Sequence, residues 1–244
     1  MKILGLESSG MVAGVAVVED GSLLAEYSTN YKKTHSQTLL PMLDELKSMI
    51  DLDLKTIDAI AISAGPGSFT GLRIGSATAK GLGLALNIPI VEISTLEGLA
   101  YNFWGSENLI CPIMDARRSQ VYTGVYEFLL TRDKKQGEQI LLPEAILAPC
   151  AMEIDKLIDY INETGRKVIF LGDGVPVYHK TIEDRCQVPY YLAAPHQNYQ
   201  RAASIATLGE VYYNKGRVVT AGDHQPEYLR KSQAEREREE QIGK

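Results

Sequence analysis

Residues Gly65–Leu86 read GPGSFTGLRIGSATAKGLGLAL. A Gly-Pro-Gly turn opens the stretch, and a helix-length run follows with no further proline. Within that run Gly71, Gly75, Ala79 and Gly83 recur at a spacing of four, which sets them in one row along a helix face. A glycine inside a helix costs about 1 kcal/mol relative to alanine, so these three with Gly81 cost about 4 kcal/mol. Close approach of another backbone to the bare row offsets such a cost, and the stretch predicts a helix pressed against a neighbour. That neighbour is either a partner's helix or the chain's own sheet. In the second case Leu72, Ser76 and Lys80 face outward. A glycine turn before a helix N-terminus is also the shape of a phosphate cradle. An anion needs bare backbone only at the N-terminus, however, and here the glycines continue down the helix. The stretch therefore reads as a docking helix.

Upstream, Ile57–Ser63 (IDAIAIS) has almost no polar alternation and reads as a central strand. Before it, Ser36 caps a helix to about Ile50 with Leu39, Leu43, Leu46 and Ile50 on one face, widened by Met42 and Met49. Pro41 is placed in the first turn, where a backbone N–H is unpaired anyway. Lys2–Ser8, Val12–Val18 and Ser22–Thr29 are three strands on short turns, a meander. Downstream come a short strand, Pro89–Ile93, and a helix from about Leu96 to Trp104 capped by Ser94. The order is β-β-β-α-β-α-β-α.

After Gly105–Asn108 the order starts again. Strands are predicted over Leu109–Ala116, Gln120–Phe128 and, past the charged connection Thr131–Glu138, Gln139–Leu147. A helix over Met152–Asn162, a strand over Lys167–Gly172, a helix over Val175–Cys186, a strand over Tyr190–Ala193 and a helix over Ala202–Lys215 complete it. This duplication is the α/β architecture of actin, hexokinase and the Hsp70 ATPase: two ribonuclease-H-like halves around a cleft. The expected division is 1–108 for a half carrying the docking helices, 109–230 for the second half, and a charged, flexible tail over 231–244.

The chain has 244 residues and a net charge of −6, a poor match for gripping a nucleic-acid backbone alone. Three cysteines, Cys111, Cys150 and Cys186, lie far apart in no CxxC arrangement, which argues against a disulfide framework and for a reducing compartment. The start, MKILGLESSG, turns polar too soon for a signal peptide, and no apolar window reaches membrane-spanning length, so the expected location is cytoplasmic.

Two strand ends are candidates for chemistry. Glu7-Ser8-Ser9-Gly10 ends the first strand, and Gly172-Asp173-Gly174 ends a buried strand of the second half. Each reads as a plain turn or as a loop whose N–H groups approach a phosphate. The histidines, His35, His179, His196 and His224, fall in no metal-binding helical spacing, and His35 is placed to help cap a helix. Neither a P-loop nor a GxSxG elbow occurs. The residues by themselves yield no catalytic centre.

The block Gly65-Pro66-Gly67-Ser68-Phe69-Thr70-Gly71-Leu72-Arg73, with Ala79-Lys80-Gly81, resembles the bacterial TsaB (YeaZ) family. So do Asp115-Ala116-Arg117-Arg118 with Val121-Tyr122, Pro226-Glu227-Tyr228-Leu229-Arg230, and His35-Ser36 with Leu39-Leu40-Pro41. The resemblance runs from about Met1 to Arg230 and leaves out the tail. TsaB is similar to TsaD, the catalytic subunit that makes threonylcarbamoyladenosine beside the anticodon of tRNA. TsaD carries His-Leu-Glu-Gly-His on its third helix to hold a metal. Here the matching positions read Thr95-Leu96-Glu97-Gly98-Leu99, and neither threonine nor leucine replaces an imidazole.

The resemblance implies a scaffold subunit with no active site, metal or cofactor of its own. It implies pairing with a TsaD-like catalytic subunit, recruitment of a TsaE-like ATPase through the complex, a homodimer when alone and indirect contact with tRNA. ATP would be used by the complex and not clearly by this chain. The implied interface is the pair of helices Ser36–Ile50 and Phe69–Leu86, with Leu39, Leu40, Leu43, Phe69, Leu72, Arg73, Gly75, Ser76, Ala79 and Lys80. Glu7, Ser8, Ser9, Gly172, Asp173 and Gly174 are the candidates for a vestigial nucleotide site. Two departures weaken that site: Glu7 stands where the family has aspartate, and Gly14 where a serine often follows. Arg117 and Arg118 are candidates for contact with partner or tRNA. The competing reading is a free-standing ATP-using enzyme of the actin-like superfamily with Glu7 and Asp173 near the phosphates.

Overall fold

The computed structural model describes residues 1–31, 33–132 and 139–229. The first sheet has strands β1 (Lys2–Glu7), β2 (Ala13–Glu19), β3 (Ser22–Thr29), β4 (Ala59–Gly65) and β5 (Ile90–Ser94), in the order β3-β2-β1-β4-β5. β1 runs antiparallel to β2, from Lys2 opposite Glu19 to Glu7 opposite Gly14, and parallel to β4. The second sheet has β6 (Leu109–Asp115), β7 (Gln120–Arg132), β8 (Gln139–Glu153), β9 (Val168–Leu171) and β10 (Tyr190–Leu192), in the order β10-β9-β6-β7-β8. Reversed, it is the first sheet's order, so the molecule is a duplicated ribonuclease-H-like fold of the actin-like class. The central strands β4 and β9 are buried along their whole length, as their unbroken apolar runs require.

Among the described residues six α-helices cover the sheets: α1 (His35–Met49), α2 (Phe69–Leu86), α3 (Thr95–Tyr101), α4 (Ile154–Thr164), α5 (Gly174–Arg185) and α6 (Ala202–Asn214). Leu39, Met42, Leu43 and Leu46 of α1, with Ala79 of α2, pack on Leu4, Val15, Val17 and Ile60 on one face of the first sheet. α4 and α5 cover the equivalent face of the second sheet through Leu157, Ile158, Ile161 and Ile182. The third helices link the halves. α6 packs on Ile3, Ala16, Ala61 and Ile93 of the first sheet, while Leu96 and Leu99 of α3 pack on Ile110, Met114 and Ile169 of the second. The segment after α6 returns to the first half as well. Val219 exchanges backbone hydrogen bonds with Ile90, and the Glu227 N–H donates to the Ala64 carbonyl at 2.7 Å.

Several predicted boundaries move. α1 is entered from Thr34, so Ser36 is not its cap, and Pro41 lies well inside the helix. Pro41 and Gln37 are both exposed, so the Gln37 carbonyl that loses its partner to the proline lies on the solvent side of the helix, where an internal proline is most tolerable. β4 starts two residues later than read, after a 3-10 turn at Leu54–Thr56. β8 runs on to Glu153 because it pairs along the whole length of β7, taking in residues predicted as the start of α4. Residues 133–138 of the charged connection, Arg230 and the 231–244 tail lie outside the described residues.

Candidate functional site

A cavity of about 620 Å³ opens between the two halves. Its first-half wall is the entry to α2, Pro66–Gly71, with Gly10 and His35. Its second-half wall is Asp115–Arg117, Tyr122 and Asp173. Ser68 caps α2, its hydroxyl accepting from the Gly71 N–H at 3.3 Å. Tyr228, from the returning C-terminal segment, stacks on Phe69 with ring centres 4.9 Å apart. The Arg73 guanidinium lies over the same ring at 4.0 Å. The Pro226–Leu229 motif, which carried no role in the sequence, is thus a strap holding the mouth of α2.

The six candidates for a vestigial nucleotide site are split. Glu7 is sealed below the cleft at 1% exposure. One carboxylate oxygen accepts from the Ser9 N–H at 2.7 Å and the Ser9 hydroxyl at 2.5 Å. The other accepts from the Ser63 hydroxyl. Burial pushes the Glu7 carboxyl above its ordinary range, outweighing the hydrogen bonds that pull it down. Ser8 donates to the Gly71 carbonyl at 2.9 Å, so its hydroxyl is bonded to α2 and not turned toward the cleft, which the turn meets only at Gly10. Asp173 does line the cavity, where it accepts from the Asp115 N–H at 3.2 Å, and burial raises its carboxyl too. Gly172 and Gly174 are packed against Ile113, where a Cβ would meet the Ile113 carbonyl or side chain within 3 Å.

The loop from β6 to β7 is strained. Arg117, Arg118 and Ser119 are consecutive non-glycine residues with φ of 65°, 57° and 57°. The Asp115 carboxylate holds the loop, accepting from the Arg117 N–H at 2.9 Å and the Tyr178 hydroxyl at 3.1 Å. Both arginine side chains stand exposed. His35 does not cap α1 with its side chain. Its Nε2 pairs with the Gly10 carbonyl at 2.8 Å, tying α1 to the turn after β1.

The docking helices need a larger correction. The small row of α2 faces the chain's own first sheet. A Cβ on Gly71 would sit 2.1 Å from the Ser8 carbonyl oxygen, and one on Gly75 would sit 2.2 Å from the Ser8 hydroxyl. Gly75, Ser76, Ala79 and Leu72 are buried on α2, as are Leu39 and Leu43 on α1. None of these six can meet a partner while the chain is folded. Leu72 and Ser76, read as an outward row, point inward because they flank the glycines on the sheet side. The outward row of α2 is Arg73, Ala77, Gly81 and Leu84. Leu84 is 67% exposed, and nothing lies within 4 Å of a Cβ built on Gly81. On α1, Leu40 is 52% exposed. Phe69 and Lys80 are half-buried and Arg73 is exposed.

At the positions matched to metal ligands, Leu99 packs among Leu96, Ile110 and Met114, and Thr95 is 1% exposed. One hydroxyl in an apolar shell does not fit a divalent cation. Among the described residues no three of His, Cys, Asp and Glu gather to hold a metal ion. Among them, too, no helix is long and apolar enough to cross a membrane.

Comparison with known proteins agrees with the fold. A family model described as TsaD, tRNA N6-adenosine threonylcarbamoyltransferase, matches residues 22–238. The tRNA threonylcarbamoyladenosine biosynthesis protein TsaB of Bacillus subtilis (strain 168) is 34% identical over 96% of this chain and 96% of its own. The TsaB of Haemophilus influenzae is 34% identical over 94% of each chain. Among solved structures, YeaZ from Pseudomonas aeruginosa is similar with a TM-score of 0.70 at 29% identity, covering 93% of this chain and 99% of its own. The chain belongs to the TsaB family of tRNA threonylcarbamoyladenosine biosynthesis proteins.

Proposed function

We propose that this chain is a non-catalytic scaffold subunit in the formation of threonylcarbamoyladenosine on tRNA, and that it works by docking a TsaD-like catalytic subunit. The single observation that carries the reading is the packing of Thr95 and Leu99. Of these positions, matched to the catalytic paralogue's metal ligands, Leu99 packs into the core that α3 forms on the second sheet, and Thr95 is buried at the start of the same helix. A chain in which those positions serve packing contributes surface. The surface proposed is the outward side of α1 and α2, with Leu40, Ala77, Gly81 and Leu84 at its centre. The open glycine and alanine let a second helix come close, and the leucines supply apolar contact. Homodimerisation in the absence of the partner uses the same side. A TsaE-like ATPase joins through the complex, ATP is consumed there, and tRNA is reached through the catalytic subunit.

Co-purification with a TsaD-like subunit tests this. Ala77→Arg and Gly81→Arg project from the helix into open space, so the fold is expected to stand while pairing weakens at least about 100-fold, the scale of a blocked interface centre. Pairing that survives both changes would show that the surface lies elsewhere. The competing reading, a free-standing ATP-using enzyme, rests on the cleft. The purified chain is expected to hydrolyse no ATP, since the Glu7 carboxylate is turned away from the cavity and consumed by Ser9 and Ser63. Turnover that Glu7→Ala abolishes would favour the enzyme instead.

A further inference from the structure

Each open sheet has two edges, and a bare edge is a template for a further strand. Among the described residues three of these edges are protected. β5 is laced by the returning segment, with Val219 exchanging hydrogen bonds with Ile90 and His224 Nδ1 pairing with Glu92 at 2.6 Å. β10 is only three residues long. β8 carries Pro143 and Pro149 and slips register against β7 at two places. β3 is different. It is last in its sheet, eight residues long, and contains neither proline nor lysine. Its one slip against β2 falls at Val17/Val18, and from Ala25 to Thr29 the pairing is regular. Along that run alternate backbone groups point away from β2, and among the described residues no strand lies beyond to receive them.

A groove of about 250 Å³ lies between this strand and α1. Tyr27 is paired with Val15 and Thr29 with Ala13, residues of the core beneath α1, so both face the helix and line the groove. Thr38, Pro41 and Glu45 form the α1 wall. At 100° per residue these three lie on the other flank of the buried stripe from Leu40. The groove is therefore separate from the docking side proposed above. Pro41 gives no N–H to the Gln37 carbonyl, and both residues line the groove, so its wall carries an acceptor relieved of its helical bond. The ends differ in charge. Lys33 lines the groove just before α1 begins, and Glu45 lines it further along the helix. About 15 Å of helix separates them, the reach of four to five residues of strand.

An edge strand with a helix flank beside it is the frame for strand addition, in which backbone pairing holds a peptide and alternate side chains are read by the groove. We propose that β3 and this flank of α1 accept an extended segment of another protein as a sixth strand of the first sheet. The segment carries an acidic side chain toward Lys33, a basic one four positions away toward Glu45, and an aliphatic one between them on Tyr27 and Pro41. Backbone pairing supplies the hold, and the two exposed charges supply choice and direction more than strength. A second copy of the chain suits the groove less well. Its own β3 would bring Ala25, Tyr27 and Thr29 to that face, with no charge for either end.

The test is to pan a displayed library of random peptides against the full chain, then to synthesise and titrate those enriched. They are expected to share the acidic–aliphatic–basic spacing, to bind with a Kd below about 100 μM, and to slow amide hydrogen exchange over residues 25–29. Methylating alternate peptide nitrogens removes the backbone donors and is expected to abolish binding. Glu45 is exposed, so Glu45→Lys keeps the fold. It is expected to weaken binding at least about tenfold, and an acidic residue in place of the peptide's basic one is expected to restore it. A library that yields no binder overturns the proposal. So do binders that leave exchange over residues 25–29 unchanged, that survive methylation, or that ignore Glu45→Lys. Exchange that slows there with rising chain concentration and no peptide would assign the edge to a second copy, which overturns it as well.

Discussion

At the scale of single residues the molecule turns on Glu7. The sequence made it a candidate to meet phosphates. The fold instead sets it under the β1 turn with every oxygen engaged by Ser9 or Ser63. Nothing in the local sequence could have said so, because Ser63 lies fifty-six positions away. Its raised pKa has a consequence for stability. The folded chain holds the proton more tightly than the unfolded chain, whose carboxyl titrates near 4.5. Between that value and the raised folded one, the native state binds more protons, so stability falls as pH rises through the window. Glu7→Gln keeps an uncharged acceptor and removes the titration. Its chemical-denaturation stability, relative to wild type, is expected to improve steadily as pH rises above about 4.5. A wild-type-minus-variant difference flat with pH would mean that Glu7 titrates as it does in the unfolded chain.

The elements show what spacing can and cannot reveal. The spacing of Gly71, Gly75, Ala79 and Gly83 correctly predicted a helix pressed against a neighbour. It could not say which neighbour, since a bare row fits a partner's helix and the chain's own β1 turn equally well. Only the topology, which brings Ser8 beneath α2, decides it. The same topology separates the glycines into two kinds. Gly75→Ala would place a methyl 2.2 Å from the Ser8 hydroxyl, and is expected to lower unfolding free energy by about 1–3 kcal/mol, the range for forced overpacking. Gly81→Ala meets nothing within 4 Å, and is expected to raise it by roughly 0.5–1 kcal/mol through helix propensity alone. Thermal or urea melts of the two variants check both signs. Element order was readable because β4 and β9 are buried apolar runs and α1 and α4 carry clean apolar stripes. The boundaries around Pro41 and Met152 were not, because a solvent-facing position for Pro41 and pairing with β7 override local preference.

Over the whole molecule, the halves repeat in strand order but not in use. Each half's third helix crosses to the other sheet, and the 219–229 segment returns to lace β5 and the mouth of α2. This exchange is invisible in the sequence, because α6 reads as an ordinary helix of the second half and shows no sign of its target. It leaves the cleft framed by both halves but lined unevenly, with Asp173 facing the cavity and Glu7 sealed off from it. The α1–α2 side stands outward on the first half, with Leu40, Ala77, Gly81 and Leu84 exposed on it. On the scaffold role proposed above, the chain's effect is lost when that surface is blocked and the core is left intact. The direct measurement is threonylcarbamoylation of tRNA by a TsaD-like subunit with its other partners, run without this chain, with it, and with Gly81→Arg. The account predicts modification that depends on the chain and drops to the chain-free level with Gly81→Arg. Equal modification in all three reactions, or full activity with the arginine variant, would contradict it.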